Sequence, residues 1–151
     1  MPSFNTFSNA TNTASTTVPM FSLMATATSQ IAIYEINTGS DATADNAVKY
    51  SVRRNSARGT QSATVTPTPA DQNVTQSALT TVDTAWNINP TITASSDVLQ
   101  WGQHQRGTYR WVAYDYTKFI RSQAGTGKGF SLMSVVVSST FNGVFHMAFD
   151  E

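Results

Sequence analysis

The fold class of this chain is indicated most clearly by one stretch, Thr108-Tyr109-Arg110-Trp111-Val112-Ala113-Tyr114-Asp115-Tyr116. Tyr109 and Trp111 alternate along it with Arg110 and Val112, so successive side chains point to opposite faces of an extended backbone. Aromatic and β-branched residues fit the pleated, half-buried surface of a sheet. The stretch therefore predicts a β-strand, with Tyr109 and Trp111 facing the core.

Segments on either side of this stretch show strand patterns as well. Residues 47–54 alternate with Val48, Tyr50 and Val52 on one face, and residues 141–149 alternate with the core-facing set Phe141, Phe145, Met147 and Phe149. Residues 30–36 and 130–138 are apolar enough on both faces for a buried sheet. About eight short strands separated by turn residues predict an all-β fold, namely a jelly-roll-like sandwich or a barrel. Asp71 could cap one short helix.

The overall composition excludes several classes of function. The 151 residues carry nine basic and nine acidic side chains, a net charge of zero, and no cysteine. Nucleic-acid binders and polybasic membrane anchors both depend on excess positive charge, so neither class is expected. Without cysteine there is no disulfide, thiolate ligand or cysteine nucleophile. No apolar run approaches the roughly 18 residues that a membrane-spanning helix needs.

The N-terminal segment, residues 1–28, has no charged residue and is rich in Ser, Thr and Asn. We interpret it as an extended N-terminal arm that precedes a single β-sandwich domain at residues 29–151. Phe4, Phe7 and Phe21 are then the candidate side chains for docking on a partner. The alternative is an unstructured terminus followed by a first strand near residues 18–27.

No catalytic or metal-binding pattern is present. His104 and His146 are far apart in the sequence and have no spacing typical of a zinc site. The loop 125–129, Gly-Thr-Gly-Lys-Gly, lacks the Ser or Thr that follows the lysine of a phosphate-binding loop, and a strand is expected after it instead of a helix. The sequence therefore predicts a protein that is not an enzyme and that needs no cofactor or metal.

Aromatic and arginine residues on the body are the remaining candidates for a binding surface. Trp86 and Trp101 lie at the predicted edges of strands, where large aromatic side chains suit an interface. Arg106 and Arg110 could pair with carboxylates of a neighbouring protein. Six aromatic residues could instead form a platform for a sugar or a peptide: Trp86, Trp101, Tyr109, Trp111, Tyr114 and Tyr116. A carbohydrate- or host-surface-binding module is therefore the alternative function.

Five segments resemble a group of small phage-encoded structural proteins, and they occur in the same order along residues 31–151. Ala44–Tyr50 resembles an ADNAIKW segment of that group, and Thr64–Asp71 resembles a shortened AVTPxPLDPAD segment. Gln105–Ala113 resembles the strand NQRATFRWVA, Gly127–Phe130 resembles an NGLGL turn, and Phe149–Glu151 resembles a closing FEE. The group is similar to the β-sandwich decoration, or cement, proteins on the capsids of tailed bacteriophages.

The resemblance implies a homotrimer that binds the major capsid protein and stabilises the capsid shell. It implies a place on the capsid surface of the virion, assembly in the host cytoplasm, and direct contact with neither nucleic acid nor membrane. The candidate contacts for the capsid or for other subunits are Phe4, Phe7, Phe21, Trp86, Trp101, Arg106 and Arg110. The chain departs from the group at 114–119, where an aliphatic segment is replaced by Tyr-Asp-Tyr-Thr-Lys-Phe. This departure leaves the carbohydrate- or host-surface-binding module of a phage tail or head fibre as the alternative.

Overall fold

The structure, a computed structural model, describes residues 2–12, 14–15, 17–43, 45, 47–137 and 140–151. These residues form strands and one 3₁₀ turn at Tyr116–Lys118, with no α-helix among them. The prediction of an all-β sandwich is confirmed. Ala44 and Asn46, which belong to one of the segments of resemblance, lie outside the described residues.

Twelve strands make up the described structure. In chain order they are β1 Ser3–Asn12, β2 Phe21–Met24, β3 Ala32–Ser40, β4 Ala47–Ala57, β5 Thr60–Val65, β6 Thr68–Pro69, β7 Thr81–Ile88, β8 Thr91–His104, β9 Tyr109–Val112, β10 Ile120–Arg121, β11 Gly129–Val137 and β12 Phe141–Asp150.

The strands are divided between two antiparallel sheets. The first sheet has the order β10-β3-β12-β1-β6, and β9 also pairs with β3. The second sheet has the order β5-β7-β2-β11-β4-β8. The chain passes from one sheet to the other at each of its first three connections, so strands that are neighbours in sequence face each other across the core.

Eight of the strands follow a nested pattern, with β5, β6, β7 and β10 as additions. In the first sheet β1, β12, β3 and β9 lie side by side, and in the second sheet β2, β11, β4 and β8 do so. Each strand of the N-terminal half thus pairs with one of the C-terminal half in reverse order, from β4 with β8 outward to β1 with β12. The two ends of the chain therefore meet in the middle of one sheet.

The core lies between the inner faces of the two sheets. The second sheet contributes Val48, Tyr50 and Val52, which are buried as their alternation predicts. The first sheet contributes the buried residues predicted from 141–149, namely Phe141, Phe145, Met147 and Phe149. Removing one such side chain from water contributes about 1.5–3 kcal/mol, so this cluster is the main source of stability.

The N-terminal segment is not an arm in this structure, which corrects the boundary predicted at residue 28. β1 pairs with β12 along its whole length, from Ser3 with Asp150 to Asn12 with Phe141. β2 pairs with β11 and β7 inside the second sheet. β1 escaped prediction as a strand because much of its inward face is Thr6 and Ser8, which leave little apolar alternation to detect. β2 lies within residues 18–27, where the alternative interpretation places a first strand.

The helix considered after Asp71 does not form. Residues 70–80 are turns and irregular chain. The Asp71 carboxylate accepts a hydrogen bond from the Asn73 backbone N–H at 2.9 Å, and its carbonyl accepts one from Val74 N–H at 3.1 Å. Asp71 therefore stabilises a single turn, a structure that aspartate favours as strongly as a helix N-terminus.

The outer face of the second sheet carries polar side chains that are nevertheless buried. Ser22 Oγ lies 2.6 Å from Ser131 Oγ, which donates to Asn55 Oδ1 at 2.8 Å. Asp83 is fully buried and forms two hydrogen bonds with Arg58, at 2.6 and 2.8 Å. These partners satisfy groups whose burial would otherwise be costly.

Candidate interaction surface

The outer face of the first sheet brings four side chains from four strands into one row. Phe7 of β1 is opposite His146 of β12, His146 is opposite Asn37 of β3, and Asn37 is opposite Arg110 of β9. They point outward because their neighbours on either side in sequence face the core. Antiparallel pairing therefore assembles the row from the two ends and the middle of the chain.

Hydrogen bonds hold the imidazole of His146 in a fixed orientation. The Asn37 amide nitrogen lies 3.0 Å from His146 Nδ1 and donates to Glu35 Oε1 at 2.7 Å. Because an amide nitrogen only donates, Nδ1 accepts and the proton is on Nε2. Nε2 lies 3.1 Å from Asn5 Oδ1, the acceptor that this proton needs. Both ring nitrogens of the neutral imidazole are thus occupied.

The electrostatics of the row favour this neutral state. Burial lowers the pKa of His146, while the nearby Glu35 carboxylate raises it and Arg110 lowers it. The pKa of Glu35 is itself lowered, chiefly because its carboxylate accepts a hydrogen bond from Arg110 Nε at 2.8 Å. His146 therefore has a structural role in the row, and its nitrogens are not free for proton transfer.

Apolar side chains surround these polar groups and remain open to solvent. Phe7 is 58% exposed and its ring centre lies 4.8 Å from that of His146. Val112 and Val144 are 46% and 49% exposed on the same side of the sheet. We call this surface the His146 face, formed by Asn5, Phe7, Glu35, Asn37, Arg110, Val112, Val144 and His146. Exposed aromatic and arginine side chains beside aliphatic ones are typical of protein interfaces.

The structure places two of the predicted contact residues together. Phe7 and Arg110 both belong to the His146 face, although more than a hundred positions separate them in the sequence. Arg106 lies apart from them, in the turn after β8, where its Nη1 is 2.9 Å from Asp45 Oδ1. Arg106 and Arg110 both pair with an acid of their own chain, so it is the position of Arg106, and not its pairing, that separates it from the His146 face.

Three other predicted contacts are wrong in this fold. Phe4 and Phe21 are fully buried in the core, where Phe4 packs on Phe149 with ring centres 5.9 Å apart. Trp101 is only 7% exposed and stacks on Tyr109 at 4.7 Å. These side chains occupy inward positions of their strands, so they cannot contact a partner while the sandwich is intact.

Trp86 remains a candidate at a separate place. It is half-buried on β7 and lines a pocket of about 360 Å³ together with Pro19 and Met20. Its indole Nε1 is buried and has no hydrogen-bond partner within the described part of the chain. The exposed part of the indole ring, and not the buried Nε1, is therefore what Trp86 offers for contact with another molecule.

Two tyrosines that the sequence offered for a sugar or peptide platform are largely exposed. Tyr114 and Tyr116 are 80% and 71% exposed. The sequence pattern assigned them to a strand, but β9 ends at Val112 and Asp115 caps the 3₁₀ turn by accepting from Thr117 N–H at 2.7 Å. The aspartate between the two tyrosines was the sequence signal for this turn, since Asp is favoured at turns and depleted in strands.

No group of three or more His, Asp or Glu residues that could hold a metal is present in the described ranges. In that part of the chain no helix is long and apolar enough to cross a membrane. No family model matches the chain, and neither a curated protein nor a solved structure matches it.

Proposed function

We propose that this protein is a non-enzymatic structural protein of a phage virion, a capsid decoration protein that binds and stabilises the shell of major capsid protein. The observation that carries the proposal is the His146 face. It presents Phe7, Val112 and Val144 around a rigid polar centre, which is the composition of a surface that binds protein. The resemblance of five sequence segments to decoration proteins supplies the identity of the partner.

The order of the strands supports the same proposal. A jelly roll arranges eight strands as 1-8-3-6 in one sheet and 2-7-4-5 in the other, and the eight nested strands here follow that order. Jelly rolls occur in viral capsid proteins and also in lectins. Because one fold hosts many functions, the fold strengthens the proposal only together with the His146 face.

The proposed mechanism is attachment at several points. The His146 face buries apolar area against a capsid subunit, while Arg110 and Glu35 add charged groups that select the partner. A stable interface needs about 800 Å² from each partner. A trimer would present the face three times at a symmetric position, and the linked contacts would increase the overall affinity well beyond that of one contact.

Co-sedimentation with shells assembled from the major capsid protein of the same phage tests this function. The Phe7→Ala variant is expected to bind the shells at least about tenfold more weakly, since aromatic anchors dominate interface energies. Ile88→Ala is the matched control, because Ile88 is an equally exposed side chain on the second sheet. If the unchanged protein fails to bind the shells, or if both variants bind equally well, the proposal is wrong.

A second candidate is the carbohydrate- or host-surface-binding module of a tail or head fibre. The exposed pair Tyr114 and Tyr116 favours it, with the Lys118 ammonium 5.8 Å from the centre of the Tyr114 ring. Exposed aromatic rings can stack on sugars. Binding on a glycan array that is lost in Tyr114→Ala and kept in Phe7→Ala would favour this function over capsid decoration.

A further inference from the structure

One end of the sandwich contains a cavity with an unusual set of charges. It lies where β10 of the first sheet ends beside β4 and the start of β11 in the second sheet, and its volume is about 570 Å³. Three basic residues line it, Arg54, Arg121 and Lys128, and the lining includes no acidic residue. We call it the basic cavity.

The three cations of the basic cavity form no ion pair with a carboxylate of the described chain. Of the nine basic residues, four form ion pairs with carboxylates: Arg53, Arg58, Arg106 and Arg110. The other five are Lys49, Arg54, Lys118, Arg121 and Lys128, and three of these line this one cavity. In a chain of zero net charge, such a concentration of positive charge attracts an anion.

The Arg121 guanidinium is held in place before any ligand arrives, and the Arg54 guanidinium lies near an aromatic ring. Arg121 Nη2 donates to the Tyr116 carbonyl at 2.9 Å, and its Cζ lies 5.5 Å from the centre of the Phe119 ring. Arg54 Cζ lies 6.0 Å from the centre of the Phe130 ring. Cationic groups placed in advance lose less conformational entropy when they bind an anion.

The glycine-rich loop positions the third cation. Lys128 N–H donates to the Gly125 carbonyl at 3.0 Å, and the Lys128 carbonyl accepts from Ala25 N–H at 2.8 Å. Gly129 has a φ of +155°, and a Cβ there would clash with the Leu23 carbonyl oxygen. The loop 125–129, which lacks the sequence pattern of a phosphate-binding loop, thus fixes the Lys128 backbone beside the basic cavity.

The neutral part of the lining indicates what accompanies the anion. It includes Gln30, Gln123, Ser56 and Thr93, whose side chains end in an amide or a hydroxyl, and the Gln30 amide also donates to the Ser122 carbonyl at 2.7 Å. Amides and hydroxyls both donate and accept hydrogen bonds, which suits a hydroxylated body better than an apolar one. The volume lies within the range of about 300–1,000 Å³ that is typical of small-molecule sites.

We propose that the basic cavity binds a sugar that carries a phosphate or sulfate ester. The three cations hold the ester oxygens, with the arginines able to form paired hydrogen bonds, and the amides and hydroxyls hold the sugar. Three positive groups match the three terminal oxygens of a phosphate or sulfate ester better than the two oxygens of a carboxylate. This site is separate from the His146 face, and the proposal does not depend on capsid binding.

Isothermal titration calorimetry of the full chain with glucose 6-phosphate tests the proposal, with glucose 6-sulfate, inorganic phosphate and glucose as comparison ligands. A dissociation constant below about 1 mM is expected for one or both esters, and at least tenfold weaker binding for phosphate or glucose alone. The comparison of the two esters identifies the preferred anion. If neither ester binds at a concentration of about 10 mM, the proposal is overturned. If inorganic phosphate binds as tightly as the esters, the sugar does not contribute to binding and that part of the proposal is wrong.

Two variants locate the site. Lys128→Met and Arg121→Met are each expected to weaken ester binding at least about tenfold, because each removes one charged hydrogen-bond donor. Lys49→Met is the matched control, since Lys49 likewise forms no ion pair among the described residues but lies outside the basic cavity. An equal loss of ester binding in Lys49→Met would show that binding depends on the overall positive charge of the protein, which would contradict a site in the basic cavity. Circular dichroism and thermal unfolding establish that each variant is folded.

Discussion

His146 stands at the centre of the His146 face with both ring nitrogens hydrogen bonded to side-chain amides. If the ring gained a proton, Nδ1 would become a donor and would face the Asn37 amide nitrogen, which also donates. Besides Glu35 and Arg110, no other charged group contributes to the shift of its pKa. The neutral ring is therefore part of what keeps β1, β12 and β3 in register on this face.

Acidification should destabilise the protein through His146. Its pKa is lower in the folded state than the ordinary value, so the unfolded chain binds more protons as the pH falls. The stability contributed by the neutral ring is complete above about pH 6.5 and is lost as the pH decreases through the folded pKa. We expect the free energy of unfolding, measured with urea, to decrease as the pH is lowered below about 6.5.

The variant His146→Gln removes this titration and should show a smaller decrease over the same pH range. His104→Gln serves as the control, because His104 is exposed at the end of β8, away from the His146 face. A decrease of the same size in His146→Gln and in the unchanged protein would show that other groups cause it.

Alternation along β1 divides two phenylalanines between the core and the surface. Phe4 is fully buried against Phe149, whereas Phe7 is largely exposed beside His146. Phe4→Ala is expected to lower the free energy of unfolding by about 3–5 kcal/mol, since it leaves a cavity in the core. Phe7→Ala is expected to lower it by less than about 1 kcal/mol. Similar losses for the two variants in urea unfolding would contradict the register of β1.

As an element, β1 is a structural strand of the first sheet. Deletion of residues 1–12 would expose one edge of β12 along its length and uncover the inward side chains of that strand. We expect the truncated protein to lose its cooperative unfolding transition, as followed by near-ultraviolet circular dichroism and urea titration. A truncated protein that remains folded would restore the interpretation of this segment as an arm.

At the scale of the whole molecule, the proposed function predicts a trimer. Light scattering of the purified protein should give a mass of three chains, each of 16.3 kDa. Multivalent attachment through three copies of the His146 face requires this assembly. A monomer in solution would contradict the preformed trimer, and capsid attachment would then depend on assembly at the shell itself.

The β class and the orientation of the most regular strands were predictable from the sequence. Alternation with a period of two is a local property, so the inward positions of Val48, Tyr50 and Val52 could be read directly from the chain. The same holds for the strand that contains Phe145. The outward position of His146 follows from this alternation as well.

Only the tertiary structure decided which strands lie together, and therefore where the surfaces are. Phe7 meets His146 and Arg110 only through strand pairs that join the two ends and the middle of the chain. The burial of Trp101 and the grouping of cations in the basic cavity arise in the same way. Local sequence determines which side of a strand a residue occupies, whereas the neighbouring strands depend on long-range packing of both sheets on one core.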